Sequence, residues 1–176
     1  MIYEFKGMCP KIDPSTFVSE SATIIGNVII GKNCFIGPGA VIRGEFKDYP
    51  ITIGDESVVE DGVIIHTGLI PCEIGSNVTI GHGAVVHCAK LGNNANIGMG
   101  AVLSLESIIG EYSIVAEGAI VKSRQVIPPY VVVGGAPAEF LRKVEKRDIE
   151  FWEKSNAWYV TLAAEYKDPT ILKRLD

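Results

Sequence analysis

The sequence has no long hydrophobic run and no cluster of basic residues. Lysine and arginine total 16 against 21 acidic residues, and the net charge of -5 argues against a nucleic-acid or anionic-membrane surface. No apolar run approaches the length that crosses a bilayer, and residues 1–10 lack the unbroken apolar stretch of a signal peptide. We therefore expect a cytoplasmic protein with no nucleic-acid partner and no membrane partner.

Cysteine and histidine are also scarce. The cysteines form no CxxC pair and show no spacing typical of a metal site. In a cytoplasmic protein we expect them to be reduced thiols rather than disulfides. They are Cys9, Cys34, Cys72 and Cys88.

What the sequence does contain is a six-residue repeat. An aliphatic anchor returns every six positions, often followed by glycine and, four positions after the anchor, by a small residue. A helical period cannot produce this pattern, and so many glycines would destabilise helices or flat strands. Short strands joined by tight turns can produce it, so the sequence predicts an all-β solenoid of stacked coils. The anchors run Val18, Ile24, Ile30, Ile36, Ile42, Ile53, Val59, Ile65, Ile74, Ile80, Val86, Leu91, Ile97, Leu103, Ile109, Val115, Val121, Ile127 and Val133.

This pattern resembles the hexapeptide-transferase superfamily. The resemblance implies a left-handed parallel β-helix with three repeats in each coil. The repeat is interrupted at Gly44–Pro50 and Thr67–Glu73, where we expect loops outside the coil. We assign residues 1–136 to the hexapeptide-repeat β-helix domain. Helical spacing over Ala138–Tyr166 predicts a C-terminal α-helix within a segment, 137–176, that packs on the β-helix or on a neighbouring subunit.

The three histidines have a definite place in such coils. His66 follows the anchor Ile65 and His87 follows the anchor Val86, so they occupy the same position in consecutive coils. Adjacent strands lie about 4.8 Å apart, which lets two imidazoles converge on one ion. His82 belongs to another edge, and a threefold rotation would bring the two edges together. The sequence therefore predicts a homotrimer with a metal between subunits, bound by all three histidines.

Three neutral imidazole nitrogens with an open fourth position are typical of catalytic zinc. Zn²⁺ is the expected metal, and Fe²⁺ or Co²⁺ would also suit these ligands. The alternative is that the histidines are exposed residues of the β-helix with no ligand.

A narrower resemblance, over about residues 12–144, is to the γ-class carbonic anhydrases and their short relatives. It is carried by the segments Ile42-Arg43-Gly44-Glu45, Ile53-Gly54-Asp55, Glu60-Asp61-Gly62-Val63-Ile64-Ile65-His66-Thr67, Ile80-Gly81-His82-Gly83-Ala84-Val85-Val86-His87 and Ile97-Gly98-Met99-Gly100-Ala101-Val102. In that family the two stacked histidines come from one subunit and the middle one from its neighbour. The resemblance also implies that Arg43 pairs with Asp61 across the interface and holds the trimer together. A direct chemical role for this pair is equally open.

The sequence departs from the family at five points. Glu45 replaces the aspartate of an Arg-Gly-Asp stretch, Glu60 replaces a glutamine and Val58 replaces an asparagine. Phe46 stands where the founding members carry a proton-transferring glutamate, and the long acidic loop is shortened to residues 68–73.

The function implied is reversible hydration of carbon dioxide to bicarbonate. Glu60 is expected to orient or deprotonate the attacking water, and the candidate catalytic residues are Glu60, Arg43, Asp61 and Glu45. One alternative is acyl-group chemistry on coenzyme A thioesters, by transfer with histidine as general base or by hydrolysis. Another is a catalytically weak metal-binding trimeric scaffold.

Overall fold

The computed structural model describes residues 1–87, 90–173 and Leu175. Within this part of the chain, short strands alternate with turns and one helix follows. The elements are β1 (Ile2–Tyr3), β2 (Lys11–Ile12), β3 (Phe17–Val18), β4 (Thr23–Gly26), β5 (Val28–Ile30), β6 (Phe35–Ile36), β7 (Val41–Gly44), β8 (Ile51–Ile53), β9 (Val58–Val59), β10 (Ile64–His66), β11 (Cys72–Ile74), β12 (Thr79–Ile80), β13 (Val85–Val86), β14 (Lys90–Leu91), β15 (Asn96–Ile97), β16 (Val102–Leu103), β17 (Ile108–Ile109), β18 (Ile114–Val115), β19 (Ile120–Val121), β20 (Val126–Ile127), β21 (Val131–Gly134), β22 (Glu139–Lys143) and α1 (Lys146–Lys167).

The strands β1 to β21 form three parallel sheets, because each pairs with the strand three places away in the chain, and β22 is added antiparallel to the third sheet. The first sheet contains β1, β4, β7, β10, β13, β16 and β19; the second contains β2, β5, β8, β11, β14, β17 and β20; the third contains β3, β6, β9, β12, β15, β18, β21 and β22. Each coil therefore visits the second, third and first sheets in turn. The predicted all-β solenoid is confirmed as a left-handed β-helix of about seven coils with a C-terminal helix.

The repeat anchors form the core of the solenoid. Ile42, Ile65 and Val86 lie side by side in paired strands of the first sheet and are completely buried. The small residues at the turns, such as Ala40 and Ala84, are buried in the same cluster. The two interruptions of the repeat are the connections from β7 to β8 and from β10 to β11. The period therefore predicted both the inward-facing residues and the loops.

Glycine shapes the turn that carries His82. A Cβ atom added to Gly81 would lie 2.7 Å from the backbone nitrogen of Met99 in the next coil, so the close stacking of coils requires glycine there. Gly83 has a φ of +67°, in the left-handed region that favours glycine. His82 is thus held in a tight turn at a corner of the coil.

The C-terminal prediction was wrong over Ala138–Glu145. Residues Glu139–Lys143 form β22, which pairs antiparallel with β21, and the helix begins at Lys146. The last coil leaves β21 with unpaired backbone groups, and β22 satisfies them more fully than a helix could. The helix start is set by a reciprocal capping box between Glu145 and Asp148. The boundary after residue 136 stays a prediction.

Helix α1 packs against the outer face of the third sheet. Phe35, Val58 and Ala163 form a buried cluster there, joined by the rings of Tyr159 and Tyr166. The Asn156 side chain donates a 2.9 Å hydrogen bond to the backbone oxygen of Glu56. These contacts fix the helix along the β-helix, and β3, β6 and β9 lie beneath it.

In the described ranges no helix is long and apolar enough to cross a membrane. Cys34 and Cys72 are buried free thiols and Cys9 is an exposed one. Cys88 lies outside the described residues.

Candidate metal centre

His66 and His87 stack at the edge between the first and second sheets. His66 ends β10 and His87 directly follows β13, and these strands pair with Ile65 opposite Val86. The ring centroids are 5.1 Å apart and the ring planes are inclined by 35°. The register argument therefore placed these two imidazoles correctly.

The Nε2 atom of His87 is buried and has no hydrogen-bond partner among the described residues. Burial, together with the neighbouring His66, lowers the pKa of His87 below its ordinary value, so its ring is neutral at neutral pH. Buried polar atoms are nearly always paired, and an orphaned one calls for an explanation. A neutral imidazole with a free ring nitrogen beside a second imidazole fits the ligand chemistry of zinc.

A carboxylate lies beside the other histidine of the stack. Glu45 Oε2 is 3.1 Å from Nε2 of His66, and Glu45 Oε1 accepts a 3.1 Å hydrogen bond from Nη1 of Arg43. Arg43 is the register partner of His66 in the preceding coil. Four polar side chains therefore lie together on one edge of the β-helix: Arg43, Glu45, His66 and His87.

His82 lies on the next edge, between the third and first sheets. Its Nε2 is 3.2 Å from Glu60 Oε2, and the same carboxylate oxygen accepts a 2.9 Å hydrogen bond from the backbone N–H of His82. The backbone N–H of Asp61 donates to His82 Nδ1 over 3.3 Å. Glu60 is only 8% exposed, so a carboxylate is held in a nearly dry position beside the imidazole.

A single chain does not bring the two edges together. No group of three His, Cys, Asp or Glu side chains able to hold a metal forms within residues 1–87, 90–173 and 175. Arg43 pairs with Glu45 and not with Asp61 within the chain. The three-histidine site and the pairing of Arg43 with Asp61 therefore stay predictions, both of which require a second subunit.

Tyr159 is a site residue that the sequence reasoning missed. It lies on α1 near the Glu60 carboxylate; burial first, and then interaction with that carboxylate, raise the pKa of Tyr159. In the helical spacing of the C-terminal segment, Tyr159 is one of several apolar positions and nothing distinguishes it as a site residue. No spacing rule connects residues 60 and 159, because their contact depends on where the helix lies along the β-helix.

Two family profiles match the coils. Residues 27–66 match the hexapeptide repeat of succinyl-transferase, and residues 71–105 match the bacterial transferase hexapeptide of six repeats. A hexapeptide transferase family protein from Anaplasma phagocytophilum superposes with a TM-score of 0.88 at 34% identity, covering 94% of this chain and 98% of that one. A Bacillus cereus protein proposed to be an acetyltransferase gives 0.91 at 33% identity, covering 95% and 96%. The coils are therefore those of a hexapeptide-repeat protein.

Comparison with individual relatives identifies a narrower family within the hexapeptide-repeat proteins. Gamma carbonic anhydrase 2, mitochondrial, of Arabidopsis thaliana is 36% identical over 161 residues, which is 88% of this chain and 57% of the relative. Carnitine operon protein CaiE of Escherichia coli K12 is 34% identical over 168 residues, 94% of this chain and 81% of the relative. The chain belongs to the γ-class carbonic anhydrase-like family of the hexapeptide-repeat superfamily. It spans little more than half the length of the Arabidopsis protein.

Proposed function

We propose that the protein is a homotrimeric, zinc-dependent carbonic anhydrase of the γ type, which interconverts carbon dioxide and bicarbonate. In this proposal His66 and His87 of one subunit and the partner subunit's His82 bind the ion, with Fe²⁺ or Co²⁺ as alternative metals. The observation that carries the proposal is the buried, unpartnered Nε2 of His87 beside the stacked ring of His66. The identity to γ-class relatives supports the same assignment. A cytoplasmic location also stays a prediction.

Zinc held by three histidines leaves a fourth position for water and lowers the pKa of that water to about 7, as it does in carbonic anhydrase, which provides a nucleophile at neutral pH. The residues of this chain supply the rest. The Glu60 carboxylate lies beside His82, where it can orient the attacking water and accept its proton. Tyr159 lies near Glu60, where its hydroxyl can help to orient that carboxylate. Arg43 and Asp61 fix the interface geometry.

Glu45 has a separate place in this proposal. Its Oε2 atom lies 3.1 Å from Nε2 of His66. A cation near the two histidines would attract this carboxylate. Glu45 would then orient His66 and add negative charge to the site, in place of the aspartate that the family carries.

A second candidate function is acyl-group chemistry on thioesters. A groove of 670 Å³ starts at Glu60 and His82 and continues along Met99, Phe151 and Trp152. Carbon dioxide needs far less space than this, whereas an acyl chain would use the apolar wall. Thr79 also lines the groove, and its buried hydroxyl has no hydrogen-bond partner among the described residues.

The test is stopped-flow hydration of carbon dioxide by anaerobically purified protein, loaded separately with zinc and with iron. His87→Ala should abolish metal binding and turnover. Lys122→Ala is the matched control, because Lys122 follows the anchor Val121 in the same column of the first sheet. Turnover that needs metal and His87 would establish the anhydrase. One bound metal per subunit without hydration would favour thioester hydrolysis or an inactive scaffold, and absence of bound metal would refute the site.

A further inference from the structure

A cavity of 310 Å³ lies between the first half of α1 and the third sheet. It opens at the corner where the coil passes from the second sheet to the third, which carries Glu56, Asn77, Asn94 and Tyr112. The proposed metal ligands occupy the other two edges of the β-helix. The cavity is therefore on a different edge from the proposed metal ligands, although Trp152 also lines the groove that starts at Glu60 and His82.

Two buried amides form part of its wall. Asn96, on β15, is 5% exposed, and Asn156, on α1, is 6% exposed. Each uses its side-chain N–H group locally, Asn96 on the backbone oxygen of Asn94 over 3.0 Å and Asn156 on that of Glu56 over 2.9 Å. Within the described residues, neither side-chain oxygen accepts a hydrogen bond. The wall therefore presents two amide oxygens that are free to accept hydrogen bonds from a ligand.

The charged groups of the wall all have the same sign. Glu56, Asp148 and Glu153 line the cavity, and no lysine or arginine does. Asp148 is neutralised by Arg142 through contacts of 2.5 and 3.0 Å. Glu56 and Glu153 form no ion pair within residues 1–87, 90–173 and 175, so the cavity carries two uncompensated carboxylates. Such a wall attracts a cation and repels an anion.

Two aromatic side chains complete the wall, Tyr112 from the coil and Trp152 from α1. Both are partly buried. Aromatic faces attract organic cations, most strongly where water is excluded, and indole is the strongest of them. Aromatic rings, carboxylates and amide oxygens around a pocket of this volume suit a ligand with a positive head and apolar substituents.

We propose that this cavity is a binding site for a small organic cation of the substituted ammonium class. Trp152 and Tyr112 contact the apolar substituents, Glu56 and Glu153 balance the charge, and Asn96 and Asn156 accept hydrogen bonds from any N–H or O–H group of the ligand. The aromatic faces favour an organic cation over an inorganic one, because they attract the charge while contacting its apolar substituents.

Choline and its neutral isostere 3,3-dimethyl-1-butanol test the proposal on the full-length, metal-loaded protein. They have the same shape and differ in charge. Titration calorimetry, with tryptophan fluorescence as a second readout of Trp152, should show choline binding roughly tenfold or more tightly than the alcohol. Equal affinity for the two compounds, or no binding of choline at millimolar concentration, would overturn the proposal.

Single substitutions test whether choline binds in this cavity. Glu153→Gln should weaken choline binding by about threefold or more, while Glu165→Gln, on the same helix but outside the cavity, should leave it unchanged. His87→Ala should also bind choline normally, so the result does not depend on the proposed metal site. If Glu165→Gln weakens binding as much as Glu153→Gln, or if His87→Ala abolishes it, the assignment to this cavity is wrong. Thermal unfolding of each variant checks that the fold is intact.

Discussion

His66 and His87 are stacked with ring centroids 5.1 Å apart, yet their Nε2 atoms have different environments: that of His66 contacts Glu45, and that of His87 contacts no polar group among the described residues. The pair is therefore asymmetric. One imidazole has a carboxylate beside it, and the other offers a free nitrogen. This asymmetry is the basis for the proposed metal site, and the surrounding residues make that proposal testable.

Glu60→Gln should reduce the rate of carbon dioxide hydration by about a hundredfold or more, because the amide can orient water but cannot accept its proton. The family commonly has glutamine at this position together with a proton-transferring glutamate, whose place is taken here by Phe46. Added imidazole buffer should restore part of the rate. Glu111→Gln, an exposed change on another edge, serves as the control. Unchanged hydration in Glu60→Gln would limit Glu60 to orientation.

Tyr159→Phe should lower turnover by roughly tenfold while leaving metal content unchanged, because it removes only the hydroxyl that interacts with the Glu60 carboxylate. Tyr166→Phe is a matched control in the same aromatic cluster under α1. Metal content by atomic emission and turnover by stopped flow are the two measurements. A rate loss in Tyr166→Phe equal to that in Tyr159→Phe would point to general loosening of the helix.

Arg43→Ala should weaken trimer assembly, because Arg43 is expected to pair with Asp61 of the partner subunit. We expect the concentration at which subunits dissociate to rise about tenfold or more, measured by light scattering after gel filtration. Arg124→Ala, which removes an exposed ion pair with Glu106, should leave assembly unchanged. A fully trimeric Arg43→Ala protein at high dilution would contradict the pairing.

Asp148→Asn should destabilise the connection between β22 and α1, where Asp148 pairs with Arg142. The pKa of Asp148 is lowered from 3.8 to about 2, and the hydrogen bond from the Arg142 side chain is the largest cause of this shift. A pKa that is lowered by folding stabilises the native state above about pH 4, and this stabilisation is lost as the pH falls through about 2. We expect Asp148→Asn to cost about 1–2 kcal/mol in urea unfolding at neutral pH and almost nothing near pH 2. Glu150→Gln, which breaks an exposed helical pair, should cost about 0.5 kcal/mol or less at any pH. A loss in Asp148→Asn that does not vary with pH would exclude the ion pair as its cause.

The six-residue period of the sequence predicted the features of the fold that repeat from coil to coil. It could not predict contacts that occur only once. Ile65 and Val86 are separated by one coil, so their pairing and the stack of His66 on His87 follow from counting anchors. The contact of Glu45 with His66 depends on the conformation of the loop after β7, which no period describes. The contact of Tyr159 with Glu60 depends on the docking of α1. The strand β22 was mistaken for helix because its residues satisfy a helical pattern, whereas the open backbone of β21 decides its conformation.

The antiparallel strand β22 makes the two ends of the β-helix different from each other. In a parallel β-helix each coil is a template for the next, and the lower rim of one molecule could in principle continue the upper rim of another. β22 reverses the strand direction at the C-terminal end of the third sheet, so a further coil cannot continue the parallel series there. The added strand also occupies the edge of β21 that another chain could otherwise pair with. In the third sheet the chain therefore ends its own parallel stacking.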